Sequence, residues 1–406
     1  MSRTVAGLAG GARLTDFISL GVLTRAVPLT QVQAALERTG TRSVRQRDLP
    51  AHVMVYYVIA LALYMQASYR EVLRCLLEGL QWLLGPDARL KVAGKSGISQ
   101  ARARLGAEPL RALHAAVVRP VALDRTKGAW YRRWRLVSLD GSTLDVADTA
   151  ANEAAFGRPG ASRGDSAFPQ IRFAALVENG THVLFGTRMD GHGVAETVLA
   201  ARVLPALQPG MLCLADRQFL GYALWQQAQA TGADLVWRAR VNARLDSEQA
   251  LPDGSYLSRL YAGTSDRRHK RNGIVVRVVD YRLEGVDGAE PIYRLVTTIL
   301  DPQQAPAVEL AALYHERWEI ETALDEVKTH LRGRQIVLRS KTPELVRQEF
   351  WGLLLAHYAV RGLMHEAALK ADEDPDRLSF VHAVRVVRRK LPRYAALPPS
   401  AADGLS

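Results

Sequence analysis

The segment from residue 126 to residue 240 alternates strand-like and helix-like runs, and their order limits the folds that this chain can adopt. Three strand-like runs come first, at 136–146, 172–178 and 182–187, and the last two read as a hairpin around Asn179-Gly180. A helix at 194–207, a strand at 211–216, a helix at 222–230 and a strand at 234–240 follow. This order predicts a mixed α/β sheet whose first three strands are neighbours in sequence.

The charge balance indicates the kind of partner. The chain has 406 residues, of which 48% are hydrophobic and 23% charged, so it can build two or three cores of ordinary globular composition. Lys and Arg number 53 against 41 acidic residues, which gives a net charge of +12. An excess of this kind favours a polyanionic partner, because Lys and Arg release condensed counterions when they contact phosphates.

Neither a membrane nor a disulfide framework is predicted. The longest apolar run, 53–65, is shorter than the roughly 20 residues that span a bilayer, so we interpret it as a buried core helix. The N-terminus shows no secretory signal pattern. Cys75 and Cys213 are the only cysteines, and both have apolar neighbours in sequence, as expected in a reducing cytosol. We therefore expect a cytoplasmic protein.

Changes in composition divide the chain into five predicted regions. The region after 240 breaks the regular alternation with short strand-like pieces and holds the densest basic run, 267–271. A long helix at 308–331 is then expected to return to the sheet. The regions are a helical N-terminal DNA-binding domain (1–125), two parts of one α/β domain (126–240 and 305–371), a β-rich insertion between these parts (241–304) and a basic C-terminal tail (372–406).

The DNA-binding assignment of the N-terminal region depends on one short helix. If residues 95–105 form the second helix of a helix-turn-helix, Gln100, Arg102 and Arg104 could enter a DNA groove. The alternative is that these residues form a basic surface on an ordinary helical bundle.

The predicted helix at 308–331 carries the most distinctive side chains of the chain. When it is wound as an α-helix, Tyr314, Arg317, Glu321 and Lys328 lie within roughly a 60° arc. The adjoining face is apolar and can pack on the core, through Leu313, Ile320, Leu324, Val327 and Leu331. A carboxylate flanked by two cations and a phenol suits contacts with metal ions and phosphate. The alternative is a solvated helix face with ion pairs between successive turns.

Three acidic residues lie where an α/β sheet could gather them. Asp140 is on the first strand, Asp216 ends a strand and Glu321 is on the returning helix. Open α/β sheets bind ligands beyond the carboxyl ends of their parallel strands, which favours Asp216. Carboxylates from separate segments can hold Mg²⁺, and a pair of such ions supports in-line displacement at phosphorus.

The same residues carry a family resemblance. The spacing of Tyr314, Arg317, Glu321 and Lys328 resembles the YREK signature of bacterial DDE transposases of the insertion-sequence-four family. The segments around Asp140 and Asp216 are similar to the two aspartate regions of that family, and residues 13–25 are similar to the N-terminal domain of many members. The chain differs from the common pattern in having Ser142 in place of threonine and Gln218 in place of glycine.

The resemblance implies a fold, an activity and a set of roles. It implies a ribonuclease-H-like catalytic domain with a β-rich insertion, and metal-dependent cut-and-paste transposition of an insertion sequence. Asp140, Asp216 and Glu321 would hold two Mg²⁺ ions, or Mn²⁺ in their place, while Tyr314, Arg317 and Lys328 would hold DNA phosphates. The implied partners are double-stranded DNA, as terminal inverted repeats and target, and a second copy of the chain in a synaptic dimer. The implied location is the bacterial cytoplasm, in association with the nucleoid.

Several alternatives remain open at the level of sequence. Asp325 shares a helix face with Glu321, Asp145 lies on the strand of Asp140, and Asp234 opens another strand. Arg238 is predicted to contact DNA, whereas Arg217 could contact phosphate or pair with a carboxylate. The alternative function is a catalytically silent DNA-binding regulator derived from a transposase, and a third is a ribonuclease-H-like nuclease with no preference for element ends.

Overall fold

The computed structural model describes residues 20–43, 49–84, 93–161, 164–165, 168–240, 242–283, 290–315, 317–331 and 337–395. They divide into two compact units. The helical unit takes the described residues up to Val118, those of 144–170 and those from Asp325 onward. The sheet unit takes the described residues of 119–143 and 171–324.

The elements are numbered in chain order. The helices are α1 (Leu20–Ala26), α2 (Leu29–Arg38), α3 (Ala51–Leu63), α4 (Tyr69–Leu84), α5 (Lys95–Leu105), α6 (Glu108–Val117), α7 (Ala150–Phe156), α8 (Glu196–Val203), α9 (Tyr222–Gln229), α10 (Thr264–Arg268), α11 (Ala307–His315), α12 (Trp318–Asp325), α13 (Pro343–Ala371) and α14 (Phe380–Ala395). The strands are β1 (Trp130–Tyr131), β2 (Trp134–Asp145), β3 (Gly160–Ala161), β4 (Gly164–Asp165), β5 (Gln170–Glu178), β6 (Val183–Gly191), β7 (Met211–Ala215), β8 (Asp234–Arg238), β9 (Gln249–Ala250), β10 (Tyr256–Leu260), β11 (Ile274–Tyr281) and β12 (Tyr293–Thr297). A π-helical turn, Glu326–Leu331, follows α12.

The centre of the helical unit is the packing of α3 against α13. Every residue of α3 except His52 is buried, which confirms that the apolar run is a core helix. The two helices approach closely at Gly352, where an added Cβ would lie 2.7 Å from Val58 Cγ1 and 2.8 Å from its carbonyl oxygen. No helix among the described residues has the length and apolarity to cross a membrane.

The helix at 95–105 forms as predicted, but the groove-reading role of Arg102 is wrong. Arg102 is only 2% exposed, and its guanidinium donates hydrogen bonds to Gln348 Oε1 at 2.8 Å and Ser340 Oγ at 3.0 Å. A side chain held in this way stabilises the packing of α5 in the helical unit and cannot reach a base edge. Gln100 and Arg104 are exposed.

The sheet unit contains the predicted mixed α/β sheet. The strand order is β6-β5-β2-β7-β8-β12-β11-β10-β9, and β1 pairs with β2. β2, β7 and β8 are parallel neighbours, whereas the pairs from β8 through β12 to β9 are antiparallel. The expectation of a ribonuclease-H-like mixed sheet is therefore confirmed, and the strands of the β-rich insertion extend that same sheet.

The predicted hairpin is also confirmed, and its glycine has a steric reason. Gly180 has a φ of +76°, and an added Cβ would lie 2.7 Å from the carbonyl oxygen of Lys127. A left-handed φ and a close backbone approach both require glycine at this position.

One face of the sheet is covered by α11. Alternate residues of a strand point to the same face, which is why Leu212 and Leu214 of β7 both enter the core there. Leu310, Leu313 and Tyr314 of α11 belong to the same buried cluster. This packing holds α11 beside the carboxyl ends of the parallel strands.

The prediction of one continuous helix at 308–331 is wrong in part. α11 ends at His315, α12 begins at Trp318 and a π-helical turn completes the segment, while residue 316 lies outside the described residues. The amide of Arg317 donates to the carbonyl of Tyr314 at 3.2 Å, three residues back, so the regular i to i−4 ladder is interrupted there. The apolar face is nevertheless buried as predicted, through Leu313, Ile320, Leu324, Val327 and Leu331.

The C-terminal segment contains more helix than the predicted basic tail implies. Residues 380–395 form α14, which buries Val384 and Val387 in the helical unit. Residues 13–19 and 396–406 lie outside the described residues.

Candidate active site

Strand register brings two of the predicted acids together. Leu139 of β2 pairs with Ala215 of β7 in a parallel ladder, so the next residues, Asp140 and Asp216, also lie beside each other. Neighbouring strands are about 4.8 Å apart, which makes the two aspartates immediate neighbours where the parallel pairing of β2 and β7 ends. Ala215 is in turn in register with Trp237 of β8, and Arg238 therefore continues the same row.

Arg317 links this row to the third predicted acid. One guanidinium nitrogen lies 3.6 Å from Oδ2 of Asp140, and the other lies 3.2 Å from Oε1 of Glu321. The side chain of Arg317 is 12% exposed and that of Glu321 is 48% exposed, so the link runs from the edge of the core toward solvent. The structure thus brings Asp140, Asp216, Arg317 and Glu321 into one site.

Burial is the main influence on the electrostatics of Asp140. The pKa of Asp140 is raised to about 6, chiefly by burial and to a smaller extent by the nearby carboxylates of Glu196 and Asp216. The amide of Gly141 and the charge of Arg317 oppose this rise in pKa. Negative charge that is partly buried and only partly compensated is the environment that a divalent cation stabilises.

Both aspartates are oriented by the backbone that follows them. Oδ1 of Asp140 accepts a hydrogen bond from the amide of Gly141 at 2.8 Å, and Oδ1 of Asp216 accepts one from the amide of Arg217 at 2.7 Å. These local bonds limit rotation of the carboxylates. A rigidly presented pair of hard oxygen donors suits cation binding.

Tyr314 lies deeper than the charged row predicted from the sequence. It is 6% exposed, its hydroxyl donates to the carbonyl of Ala215 at 3.2 Å, and burial raises its pKa. Its contact with the residue before Asp216 holds the end of β7 against α11. The predicted phosphate contact of Tyr314 stays a prediction.

Arg217 and Arg238 share one carboxylate, that of Glu290. The Arg217 guanidinium lies 2.9 Å and the Arg238 guanidinium 2.7 Å from oxygens of Glu290, and Arg238 also lies 4.7 Å above the ring centre of Tyr293. The sequence left two roles open for Arg217, a contact with phosphate and a pair with a carboxylate. The structure contains the pair with a carboxylate. An open cavity of about 680 Å³ adjoins this group and is lined by Asp216, Arg217, Gln218, Arg240, Asn242 and Glu290.

Lys328 belongs to the helical unit. It lies in the π-helical turn Glu326–Leu331 and is half-exposed. Its predicted phosphate contact stays a prediction.

Each competing acid has a partner of its own. Asp145 accepts from the amide of Gln170 at 2.8 Å, and Asp325 lies 3.3 Å from Nε2 of His330. Asp234 accepts from the indole of Trp134 at 2.7 Å and from the hydroxyl of Thr298 at 2.9 Å. The hydrogen bonds of Asp234 join the start of β8 to the start of β2 and to the residue after β12, which explains its position structurally.

Sequence reasoning missed Glu196. This residue begins α8 and its carboxylate lies against Gly141, next to Asp140. The sequence did contain a signal for Glu196. This acid lies in the first turn of the helix that connects β6 to β7, and β7 is the strand that leads to Asp216.

Comparison with known proteins agrees with these observations. Residues 17–115 match a family model described as the insertion element 4 transposase N-terminal domain, and residues 134–359 match one described as a transposase DDE domain. The transposase InsG for insertion sequence element IS4 of Escherichia coli (strain K12) is 30% identical over 372 residues, which cover 89% of this chain and 80% of InsG. The putative transposase InsZ of the same organism is 24% identical over 213 residues, or 52% of this chain and 68% of InsZ.

Among solved structures, a piggyBac transposase synaptic complex with hairpin DNA aligns over 97% of this chain and 83% of that chain, with a TM-score of 0.45 and 11% identity. The two family models together account for the N-terminal helices and for the sheet with its three acids. The chain therefore belongs to the insertion-sequence-four family of DDE transposases.

Proposed function

We propose that this transposase cleaves DNA at the terminal inverted repeats of its own insertion sequence and joins the freed ends to target DNA. The observation that carries the proposal is the site where the parallel pairing of β2 and β7 ends, at which Asp140 and Asp216 are adjacent and Arg317 links Asp140 to Glu321. Carboxylates from three separated segments meeting at a basic, partly open site suit in-line displacement at phosphorus.

The donor set fits divalent cations. Asp140, Asp216 and Glu321 offer hard oxygen ligands, and the buried carboxylate of Asp140 lies near two further carboxylates, whose negative charge a cation would offset. We propose that these three residues hold Mg²⁺, with Mn²⁺ as a substitute. When bound, a pair of such ions activates the attacking oxygen and stabilises the departing one.

The residues around the acids would bind and orient the DNA backbone. Arg317 would exchange its contacts with Asp140 and Glu321 for a phosphate near the cleaved bond, and Tyr314 would contribute to that contact. Lys328, in the helical unit, would bind a DNA phosphate, as the family signature implies. Arg238 continues the row of the two aspartates and would contact a neighbouring phosphate. Arginine suits this task because its planar guanidinium bonds two phosphate oxygens at once.

Strand cleavage and strand joining are two displacement steps, and in each step one bond to phosphorus forms while another breaks. Water attacks phosphorus at the end of the element, the bond to the 3′ oxygen breaks, and the element strand leaves with a free 3′ hydroxyl. That hydroxyl then attacks a target phosphodiester and displaces a target 3′ oxygen. We further propose a hairpin intermediate between these steps: the 3′ hydroxyl attacks the opposite strand and displaces the 3′ oxygen of the flanking DNA, and water then attacks the hairpin phosphate and releases the 3′ hydroxyl again. We also propose a synaptic dimer that pairs two ends and acts on nucleoid DNA in the bacterial cytoplasm.

Cleavage of matched DNA substrates tests the proposal. The full chain is incubated with Mg²⁺ and with labelled duplexes that carry either the element's own inverted repeat or a scrambled repeat of the same composition. We expect nicking at the end of the intact repeat and none on the scrambled duplex. Specific binding without nicking would instead identify a silent regulator, and equal cutting of both duplexes would identify a nuclease without end preference.

A further inference from the structure

Glu196 is an acid of the sheet unit whose carboxylate lies directly on the residue after Asp140. A Cβ added at Gly141 would lie only 2.0 Å from Oε1 of Glu196, and its three nearest atoms all belong to this glutamate. Glu196 is half-buried in the first turn of α8. Its carboxylate therefore fills the space that any side chain at position 141 would need.

Glu196 lies between the residue after Asp140, in β2, and the loop that follows β7. Its carboxylate is beside Gly141, whose amide donates to Asp140, and it is close enough to interact with the side chain of Gln218, two residues after Asp216. The positive charge of Arg172 lies close enough to stabilise the glutamate. One carboxylate thus lies beside both the strand residue after Asp140 and the loop after Asp216.

The position is electrostatically unfavourable for an acid. Asp140 and Asp216 both lie near enough to repel the Glu196 carboxylate, and burial adds a desolvation cost. A neutral or apolar side chain would avoid this repulsion. What the carboxylate supplies is an acceptor beside Gly141 and Gln218.

We infer that Glu196 is a positioning residue of the active site, which holds Asp140 through the amide of Gly141 and holds the loop after Asp216 through Gln218. The inference rests on the proposed function of the three acids. Residues that orient metal-binding carboxylates typically contribute 10- to 100-fold to metal affinity or activity. Glu196 acts through its neighbours and makes Asp140 and Asp216 a rigid pair.

The first test compares Glu196→Ala with Glu196→Gln. Each variant is measured for end cleavage under saturating Mg²⁺, for Mn²⁺ binding by calorimetry without DNA, and for melting temperature. We expect Glu196→Ala to weaken both cleavage and Mn²⁺ binding by about 10- to 100-fold while the protein stays folded. Glu196→Gln keeps a carbonyl oxygen beside Gly141 and should retain clearly more of the cleavage activity and of the Mn²⁺ affinity.

The second test is a double-mutant cycle at the contact itself. Gly141 has no left-handed φ, so alanine suits its backbone, and the three atoms nearest to the added methyl group all belong to Glu196. Gly141→Ala should therefore reduce cleavage and Mn²⁺ binding in the wild-type background. In the Glu196→Ala background the same change should have little further effect, because the space is then vacant. The matched control is Gly193→Ala, in the loop before α8, where an added Cβ would have no atom within 4 Å. This variant should leave cleavage and Mn²⁺ binding unchanged.

Three outcomes would overturn the inference. They are wild-type cleavage and Mn²⁺ binding in Glu196→Ala, equal losses in Glu196→Ala and Glu196→Gln, and an undiminished effect of Gly141→Ala in the Glu196→Ala background. If the wild type itself fails to cleave end DNA, the proposed function fails, but Mn²⁺ binding and the double-mutant cycle still decide the role of Glu196.

Discussion

The guanidinium of Arg317, the residue before α12, lies 3.6 Å from the carboxylate of Asp140 and joins the start of α12 to the central sheet. The same group contacts Glu321 at 3.2 Å. Arg317 thus supplies positive charge to both acids when no divalent cation is bound. Its position between them is the reason that a phosphate and a metal ion would both change its contacts.

Removal of Arg317 should make the site depend more strongly on metal. Arg317→Ala should lower the free energy of unfolding without metal by about 1–3 kcal/mol, because charged hydrogen bonds are lost among like charges. Mg²⁺ should then raise the melting temperature of Arg317→Ala by more than it raises that of the wild type. Thermal unfolding with and without Mg²⁺ measures both effects, and a smaller Mg²⁺ response in the variant would contradict the arrangement.

Glu290 should compete with DNA for Arg217 and Arg238. Glu290→Gln frees two guanidinium groups beside Asp216 and should tighten binding to end DNA about two- to five-fold, with a steeper dependence on salt. Fluorescence anisotropy at several salt concentrations measures the change. Glu248→Gln is the matched control, because it removes the same charge from an exposed ion pair with Arg259. Equal affinity gains in the two variants would show that net charge alone is responsible.

The buried carboxylate of Glu178 should stabilise the sheet unit. It is fully buried, pairs with Arg135 and accepts hydrogen bonds from the amides of Val121 at 2.8 Å and Ala122 at 3.0 Å. Glu178→Gln should reduce the free energy of unfolding by about 3 kcal/mol, because it leaves the partners of a buried ion incompletely satisfied. Glu248→Gln, in its exposed pair, should cost less than about 1 kcal/mol. Urea denaturation measures the free energy of unfolding of both variants. Losses of similar size would contradict a stabilising role of the buried Glu178 carboxylate.

Two glycines of α13 should respond to alanine in opposite directions. Gly352→Ala would place a methyl group 2.7 Å from Val58 and should destabilise the protein by about 1–3 kcal/mol through overpacking. Gly362 has no atom within 4 Å of an added Cβ, so Gly362→Ala should stabilise it by about 0.5–1 kcal/mol. Denaturant midpoints measure both, and a neutral Gly352→Ala would mean that α3 and α13 are farther apart.

The strands and the hairpin were predictable because their signals are local. The apolar run that ends at Asp216 and the turn residues Asn179-Gly180 identify elements without reference to distant residues. The signature spacing likewise identified Arg317 and Glu321 as neighbours, and i,i+4 geometry brings them together in the structure.

Features that depend on pairing between distant segments were not predictable in this way. The row of Asp140, Asp216 and Arg238 follows from the register of three parallel strands, which no single segment encodes. The sequence suggested that Arg102 is a surface residue. In the structure it is buried and donates a hydrogen bond to Gln348, which lies 246 residues away in sequence. The contact of Glu196 with Gly141 is of the same kind.

End cleavage by isosteric variants of the three acids is the most direct measurement. Asp140→Asn, Asp216→Asn and Glu321→Gln are compared with Asp145→Asn and Asp325→Asn, the acids that compete with them in sequence. Under saturating Mg²⁺, and with folding verified by melting temperature, each of the first three should lose about a thousand-fold or more in cleavage rate. The two controls should cleave at close to the wild-type rate. Wild-type cleavage by any of the first three variants would contradict an active site built on these carboxylates.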